Sequence, residues 1–197
     1  MTTGTTERVI EMLEESGALL RGHFRLSSGL HSSEYCQCAR VLEWPEAAEE
    51  LGGMLAEMFA GEEVDVVVSP ALGGIVIGHE VARALGVRCI FAERDGGAMT
   101  LRRGFALREG ERALIIEDVR TTGGSVLEVA EVVRGAGATV AGFGFILDRS
   151  REPRDLGAPA RALARRPMEA HEADRCPLCA QGVPVVKPGS RPVSGTN

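Results

Sequence analysis

The run Leu114-Ile115-Ile116, followed by Glu117-Asp118-Val119-Arg120-Thr121-Thr122-Gly123-Gly124-Ser125, constrains this chain more than any other feature. The apolar run reads as a buried strand, and the periodic stretch from Val126 to Arg134 reads as a helix. The loop between them offers backbone N–H groups and hydroxyls at a helix N-terminus, where a phosphate binds well. The two acids sit at the strand's carboxyl end, the place where open α/β sheets hold ligands. A phosphate beside two carboxylates points to a sugar phosphate, its hydroxyls donating to the acids. An ordinary strand-turn-helix with Ser125 as N-cap accounts for the glycines. It leaves unexplained two carboxylates placed where desolvation is costly.

Strand and helix signals alternate around this motif. Glu7 to Leu20 has helical spacing at Val9, Ile10, Leu13 and Leu20, and Pro45 to Ala60 has it at Ala48, Leu51, Leu55, Met58 and Phe59. Val64 to Val68, Val87 to Phe91 and Thr139 to Leu147 are apolar runs of buried-strand type. A turn, Ser69-Pro70-Ala71-Leu72-Gly73-Gly74, opens a further helix to about Leu85. Gly135-Ala136-Gly137 reads as a helix stop. This alternation predicts an α/β fold, a parallel sheet covered on both faces. The Ser- and Gly-rich region from Phe24 to Val41 predicts short strands or a hood. We expect one domain over residues 1–150, with a hood over about 1–42, and a loosely structured tail over 151–197 with one short ordered element.

Residues 114–125 resemble the 5-phosphoribosyl-1-diphosphate (PRPP) signature of type I phosphoribosyltransferases: three apolar residues, two acids, an apolar residue, a variable one, then Thr-Thr-Gly-x-Ser. Every position matches. The resemblance implies a type I phosphoribosyltransferase-like parallel sheet flanked by helices, with a small N-terminal hood and a C-terminal tail. It implies that Glu117, Asp118, Val119, Arg120, Thr121, Thr122, Gly123, Gly124 and Ser125 bind PRPP, together with Gly73 and Gly74 from the second glycine turn. Glu117 and Asp118 would hold the ribose hydroxyls, with Asp118 counted as catalytic. Mg2+ is expected to enter through the substrate, with no protein metal site. A homodimer with shared active sites is implied as well.

The acceptor is addressed by other residues. Gly22-His23-Phe24-Arg25-Leu26-Ser27-Ser28-Gly29 resembles the N-terminal segment of orotate phosphoribosyltransferases, which leads to an aromatic lying against the orotate ring; Tyr35 is the nearest match. Leu147-Asp148-Arg149 also occurs there, and arginine's planar fork suits a carboxylate, which orotate carries and purine bases lack. Thr121, Tyr35 and Arg149 are thus the expected orotate contacts. The glycine-hinged segment around Arg94, Arg102 and Arg103 looks like the loop that closes over the diphosphate, making Arg94 and Arg102 the other expected catalytic residues. Ser27, Gly73 and Asp95 stand where many relatives carry lysine. Two alternatives stay open: a transferase for a purine or another base, and a non-catalytic PRPP-sensing regulator on the same fold.

With 44% hydrophobic and 25% charged residues, the composition is that of a soluble globular chain. A net charge of −6 does not suggest a nucleic-acid partner. The N-terminus lacks a signal-peptide pattern and no apolar run reaches membrane-spanning length, so no membrane partner and a cytoplasmic location are expected. Lys187 is the single lysine, which leaves arginine as the cation near the site. The five cysteines do not suggest a disulfide framework. Cys176-Pro177-Leu178-Cys179 is half of a zinc site, to be completed by His171, Asp174 or a partner chain. With no second CxxC in the chain, a capped turn in the tail is the favoured reading.

Overall fold

The computed structural model describes residues 3–26, 28–151 and 154–188. Helix α1 (Thr3–Glu15) leads into a hairpin of β1 (Leu19–Arg25) and β2 (His31–Cys36). A short α2 (Ala39–Leu42) and α3 (Pro45–Met58) follow. Then come β3 (Val66–Pro70), α4 (Gly73–Leu85), β4 (Arg88–Asp95), β5 (Ala98–Leu101), β6 (Arg112–Arg120), α5 (Gly124–Gly135) and β7 (Thr139–Asp148). Strand β8 (Ala160–Arg165), a 3-10 turn (Ala173–Arg175) and α6 (Pro177–Ala180) complete the described chain.

Six strands form one sheet in the order β5-β4-β3-β6-β7-β8, and all neighbours are parallel except β4 and β5. Side chains alternate across each strand, and the core divides accordingly. Val67, Leu114, Ile116 and Ile146 pack with Leu51, Leu55, Ile77 and Val81 of α3 and α4 on one face. Val66, Val68, Ile115 and Phe143 pack with Val126, Val129, Ala130 and Val133 of α5 on the other. The expected parallel sheet covered on both faces is what the chain forms. Burial on both faces explains the near-continuous apolar runs of β3 and β6. From β3 the chain winds outward to β4, then returns to β6 on β3's other side. The carboxyl ends of β3 and β6 therefore flank the crevice where the winding reverses.

Three expectations are corrected. The first helix stops at Glu15 and not near Leu20, because Gly17 takes φ +66° and turns the chain into β1, where Leu20 lies. The segment after Glu93 is partly a hairpin: β4 runs on to Asp95, turns at Gly96 and Gly97, and returns as β5. The stretch beyond Arg151 contributes more than one short element. Strand β8 pairs in parallel with β7 from Phe143↔Ala160 to Asp148↔Arg165, and Leu163 and Ala164 are fully buried. Its ARALAR sequence is flanked by arginines, so no long apolar run marked it as a strand.

The hood is the β1–β2 hairpin, a two-stranded sheet separate from the main one. The C-terminal segment lies along it. Arg25 N donates to the Val186 carbonyl at 2.9 Å, Val186 N to the His23 carbonyl at 2.8 Å, and His31 and His171 exchange backbone bonds of 2.8 Å. The expected boundary near residue 150 is thus crossed twice, by a sheet strand and by this strap.

Candidate active site

A cleft of about 950 Å³ opens between the hood and the carboxyl ends of β3 and β6. Its wall includes Glu117, Asp118, Val119, Thr121, Thr122, Gly123, Gly124 and Ser125 from the motif, Gly73 from the second glycine turn, and Tyr35, Arg94 and Arg149. The structure therefore brings together in one cavity residues from five stretches of the chain.

The motif strand runs on through the acids: β6 includes Glu117 to Arg120. Asp118 faces the start of α4, and its carboxylate lies so close to Gly73 that a Cβ there would sit 2.8 Å from Oδ1. A side chain at Gly73 would make that carboxylate shift. The backbone N–H of Val119 donates to Asp118 Oδ1 at 2.9 Å. Burial pushes the Asp118 carboxyl above its ordinary value, partly opposed by backbone hydrogen bonds.

Ser125 is not the N-cap of α5. That position falls to Gly123, at φ +79°, and makes no side-chain cap. A side chain at Gly123 would be strained by this φ and would crowd Leu156 Cδ2 at 3.1 Å. Thr122 Oγ1 accepts from Gly124 N at 3.3 Å. The first turn of α5 thus presents further backbone N–H groups to the cleft, with the positive end of its dipole.

Arg149 follows β7 and is 6% exposed. Its backbone is fixed by bonds to the Arg120 carbonyl and from Met168 N. Burial lowers its pKa, opposed by Cys36, Tyr35 and Glu34. No carboxylate pairs with its guanidinium among the described residues. Tyr35 packs against Phe24 with ring centroids 5.8 Å apart. Burial and then the nearby Asp118 charge raise its phenol, with Arg149 opposing. Among the described residues the cleft thus holds a buried cation without a carboxylate partner beside an aromatic ring, and a helix start beside two carboxylates.

Three expected site residues lie elsewhere. The Arg120 side chain turns away from the cleft, donating to the Arg154 carbonyl, lying over the Phe145 ring at 5.7 Å and reaching Asp148 at 3.7 Å. Alternation is irregular here: Asp118 and Val119 both lie toward the α3–α4 side, and Arg120 packs with Phe145 on the α5 side. Gly74 packs α4 onto β6, where a Cβ would meet the Ile116 carbonyl at 2.9 Å. Arg102, after β5, is held outside the cleft by the edge of the sheet, 3.7 Å from Asp95. Arg94 does reach the wall, but is ion-paired to Glu128 at 2.7 Å. Arg103 pairs with Glu93 at 3.0 Å. Ser27 lies outside the described residues.

One cation went unforeseen. Lys187 lines the cleft, carried there by the strap along the hood, and forms no ion pair among the described residues. The expectation that no lysine stands near the site is corrected. The available signal was the extended apolar stretch Val183-Pro184-Val185-Val186 before it, in a segment read as loose.

A crevice at a switch point, lined by a Thr-Thr-Gly loop at a helix start and by two acids, suits a sugar phosphate. The chain belongs to the phosphoribosyltransferase family: residues 37–167 match the model of the phosphoribosyl transferase domain. Curated relatives make the resemblance more specific. The chain is 52% identical over 189 residues to an orotate phosphoribosyltransferase of Pelotomaculum thermopropionicum, covering 96% of this chain and 100% of that one. It is 50% identical over 181 residues to the enzyme of the same name from Thermotoga petrophila, covering 92% and 97%. Among solved structures, the orotate phosphoribosyltransferase of Aeropyrum pernix superposes with a TM-score of 0.68 at 26% identity, covering 80% of this chain and 93% of that one.

Proposed function

We propose that this chain is an orotate phosphoribosyltransferase, joining orotate N1 to C1 of PRPP with release of diphosphate and formation of orotidine 5-monophosphate, in pyrimidine biosynthesis. The observation that carries the choice of base is Arg149: a buried guanidinium in the cleft, beside Tyr35, with no carboxylate partner among the described residues. Orotate's carboxylate supplies the missing charge, and a fork-to-fork bond orients the ring. A purine offers no such group.

The first turn of α5, with Thr121, Thr122 and Ser125, takes the 5-phosphate. Asp118 and Glu117 accept from the ribose hydroxyls and favour the positive charge that grows on the sugar as the bond to diphosphate lengthens. Lys187 and Arg94 face the leaving group; Arg94 does so after parting from Glu128. The protein's main work is to hold two substrates in line, which can remove much of the barrier.

Mg2+ suits the donor set. Asp118 presents hard carboxylate oxygen to the cleft, with only backbone hydrogen bonds to lower its pKa. When bound with substrate, Mg2+ would neutralise diphosphate charge. We further propose a homodimer whose exposed β4–β5 hairpin reaches a neighbour's cleft, and a cytoplasmic location, in keeping with five free cysteines.

The test is diphosphate release from PRPP and Mg2+ with orotate, uracil, adenine and guanine in separate reactions. Release is expected with orotate alone. Release with a purine alone would assign a different acceptor. PRPP binding by calorimetry without release for any base would make the chain a sensor.

A further inference from the structure

The cysteine pair read as a capped turn meets two histidines from the opposite end of the chain. His23 and His31 lie on the two strands of the hood, 3% and 6% exposed, and Cys176 and Cys179 flank the first turn of α6. Neither His171 nor Asp174, the partners expected from sequence, takes part. The ligand atoms of His23, His31, Cys176 and Cys179 all lie within 4.8 Å of one another.

Two of the four separations match the edges of a zinc tetrahedron and two are a few tenths of an ångström shorter. His23 Nε2 is 2.9 Å from His31 Nδ1, 3.4 Å from Cys176 Sγ and 3.7 Å from Cys179 Sγ, and Cys179 Sγ is 3.2 Å from His31 Nδ1. Zinc bonds of about 2.0–2.3 Å give tetrahedral edges of roughly 3.3–3.8 Å. The histidine tautomer also fits. His23 Nδ1 lies 2.7 Å from the Val183 carbonyl. A carbonyl only accepts, so Nδ1 carries the proton and Nε2 aims its lone pair into the cluster. Such an outer hydrogen bond is the usual support of a zinc-bound histidine.

We propose that His23, His31, Cys176 and Cys179 form a structural zinc site that staples the C-terminal strap to the hood. Four protein ligands close the coordination shell, which suits a structural ion and leaves no position for catalysis. A staple would add most to α6, which buries none of its own residues. The stapled segment includes Val186, paired with the hood backbone, and leads directly to Lys187 on the cleft wall. The ion would therefore hold one wall of the cleft in place while touching no substrate.

The test begins with the full-length protein, purified under reducing conditions without added metal. Elemental analysis is expected to find about one zinc per chain. Co2+-exchanged protein is expected to show the intense visible bands of a tetrahedral site and a thiolate-to-metal band. Both should be lost in the Cys176→Ser, Cys179→Ser double variant. Stripping the metal with a chelator should lower Tm by at least about 5 °C, with Zn2+ restoring it. Reduced protein that takes up neither Zn2+ nor Co2+ would overturn the site. A Co2+ spectrum of octahedral oxygen coordination, or one that persists in the double variant, would do the same. An unchanged Tm after stripping would overturn the staple. If the variant does not fold, X-ray absorption at the zinc edge of the parent protein still decides. Two sulfur and two nitrogen neighbours support the proposal, and any other shell refutes it.

Discussion

Asp118 is held at a cost. Its carboxyl is raised by burial, so the folded state binds the proton more tightly than the unfolded chain does. Stability therefore falls as pH rises from the ordinary carboxylate value through the raised one, and at neutral pH the charge works against folding. Asp118→Asn should accordingly be at least as heat-stable as the parent at pH 7. Its turnover should fall by about a hundredfold or more, the scale for losing a group aimed at transition-state charge. Thermal melts and steady-state rates on the same preparation check both halves. Arg149 gives the complementary expectation. A charge-assisted hydrogen bond contributes about 1.5–3 kcal/mol. Arg149→Ala should thus raise KM for orotate on the order of ten- to a hundredfold while KM for PRPP changes little. Equal effects on both substrates would count against a carboxylate contact.

At the scale of elements, β6 and α5 line one end of the cleft and the hood lines the other, the ends proposed for the phosphate and the base. Strand β8 matters because it extends the sheet beyond β7 and packs against α1 through Leu163, which is fully buried. If it were a loose tail, truncating Leu163 would be harmless. As a core strand, Leu163→Ala should destabilise the protein by about 2–5 kcal/mol. Urea unfolding should show a lower midpoint with an unchanged slope. The β4–β5 hairpin is the opposite case. Its arginines are half-exposed and ion-paired at the surface, where such pairs contribute little to stability. Changes there should alter turnover and leave Tm alone.

For the whole molecule, the position of Arg102 outside its own chain's cleft gives the proposed dimer a sharp consequence. If the hairpin serves a neighbour's site, Asp118→Asn and Arg102→Ala protomers, each impaired alone, should regain activity when mixed and allowed to exchange. A hybrid dimer then holds one site with both residues intact. Sedimentation should show the dimer, and mass spectrometry of labelled chains should show exchange. No recovery after proven exchange would place motif and hairpin in the same chain's site.

The sequence by itself determined the α/β class, and its resemblance to a known signature gave the functional reading. The class rests on local chemistry, apolar runs that must be buried alternating with helical periods; the reading rests on the residues from Leu114 to Ser125. Arg149 and Tyr35 were legible for the same reason, as residue types in short recognisable patterns. What depends on distant packing was not legible. Arg120 belongs to the motif by position but leaves the cleft, because its side chain packs over Phe145 and binds the Arg154 carbonyl on the α5 side of the sheet. Strand β8 is coded by an arginine-flanked segment whose burial is decided by its neighbour β7. Lys187 reaches the cleft only because Val186 pairs with the hood. His23 and His31 meet Cys176 and Cys179 across some 150 residues of chain. Period and spacing report which faces a segment can bury; only the tertiary structure decides which distant segment comes to rest against each face.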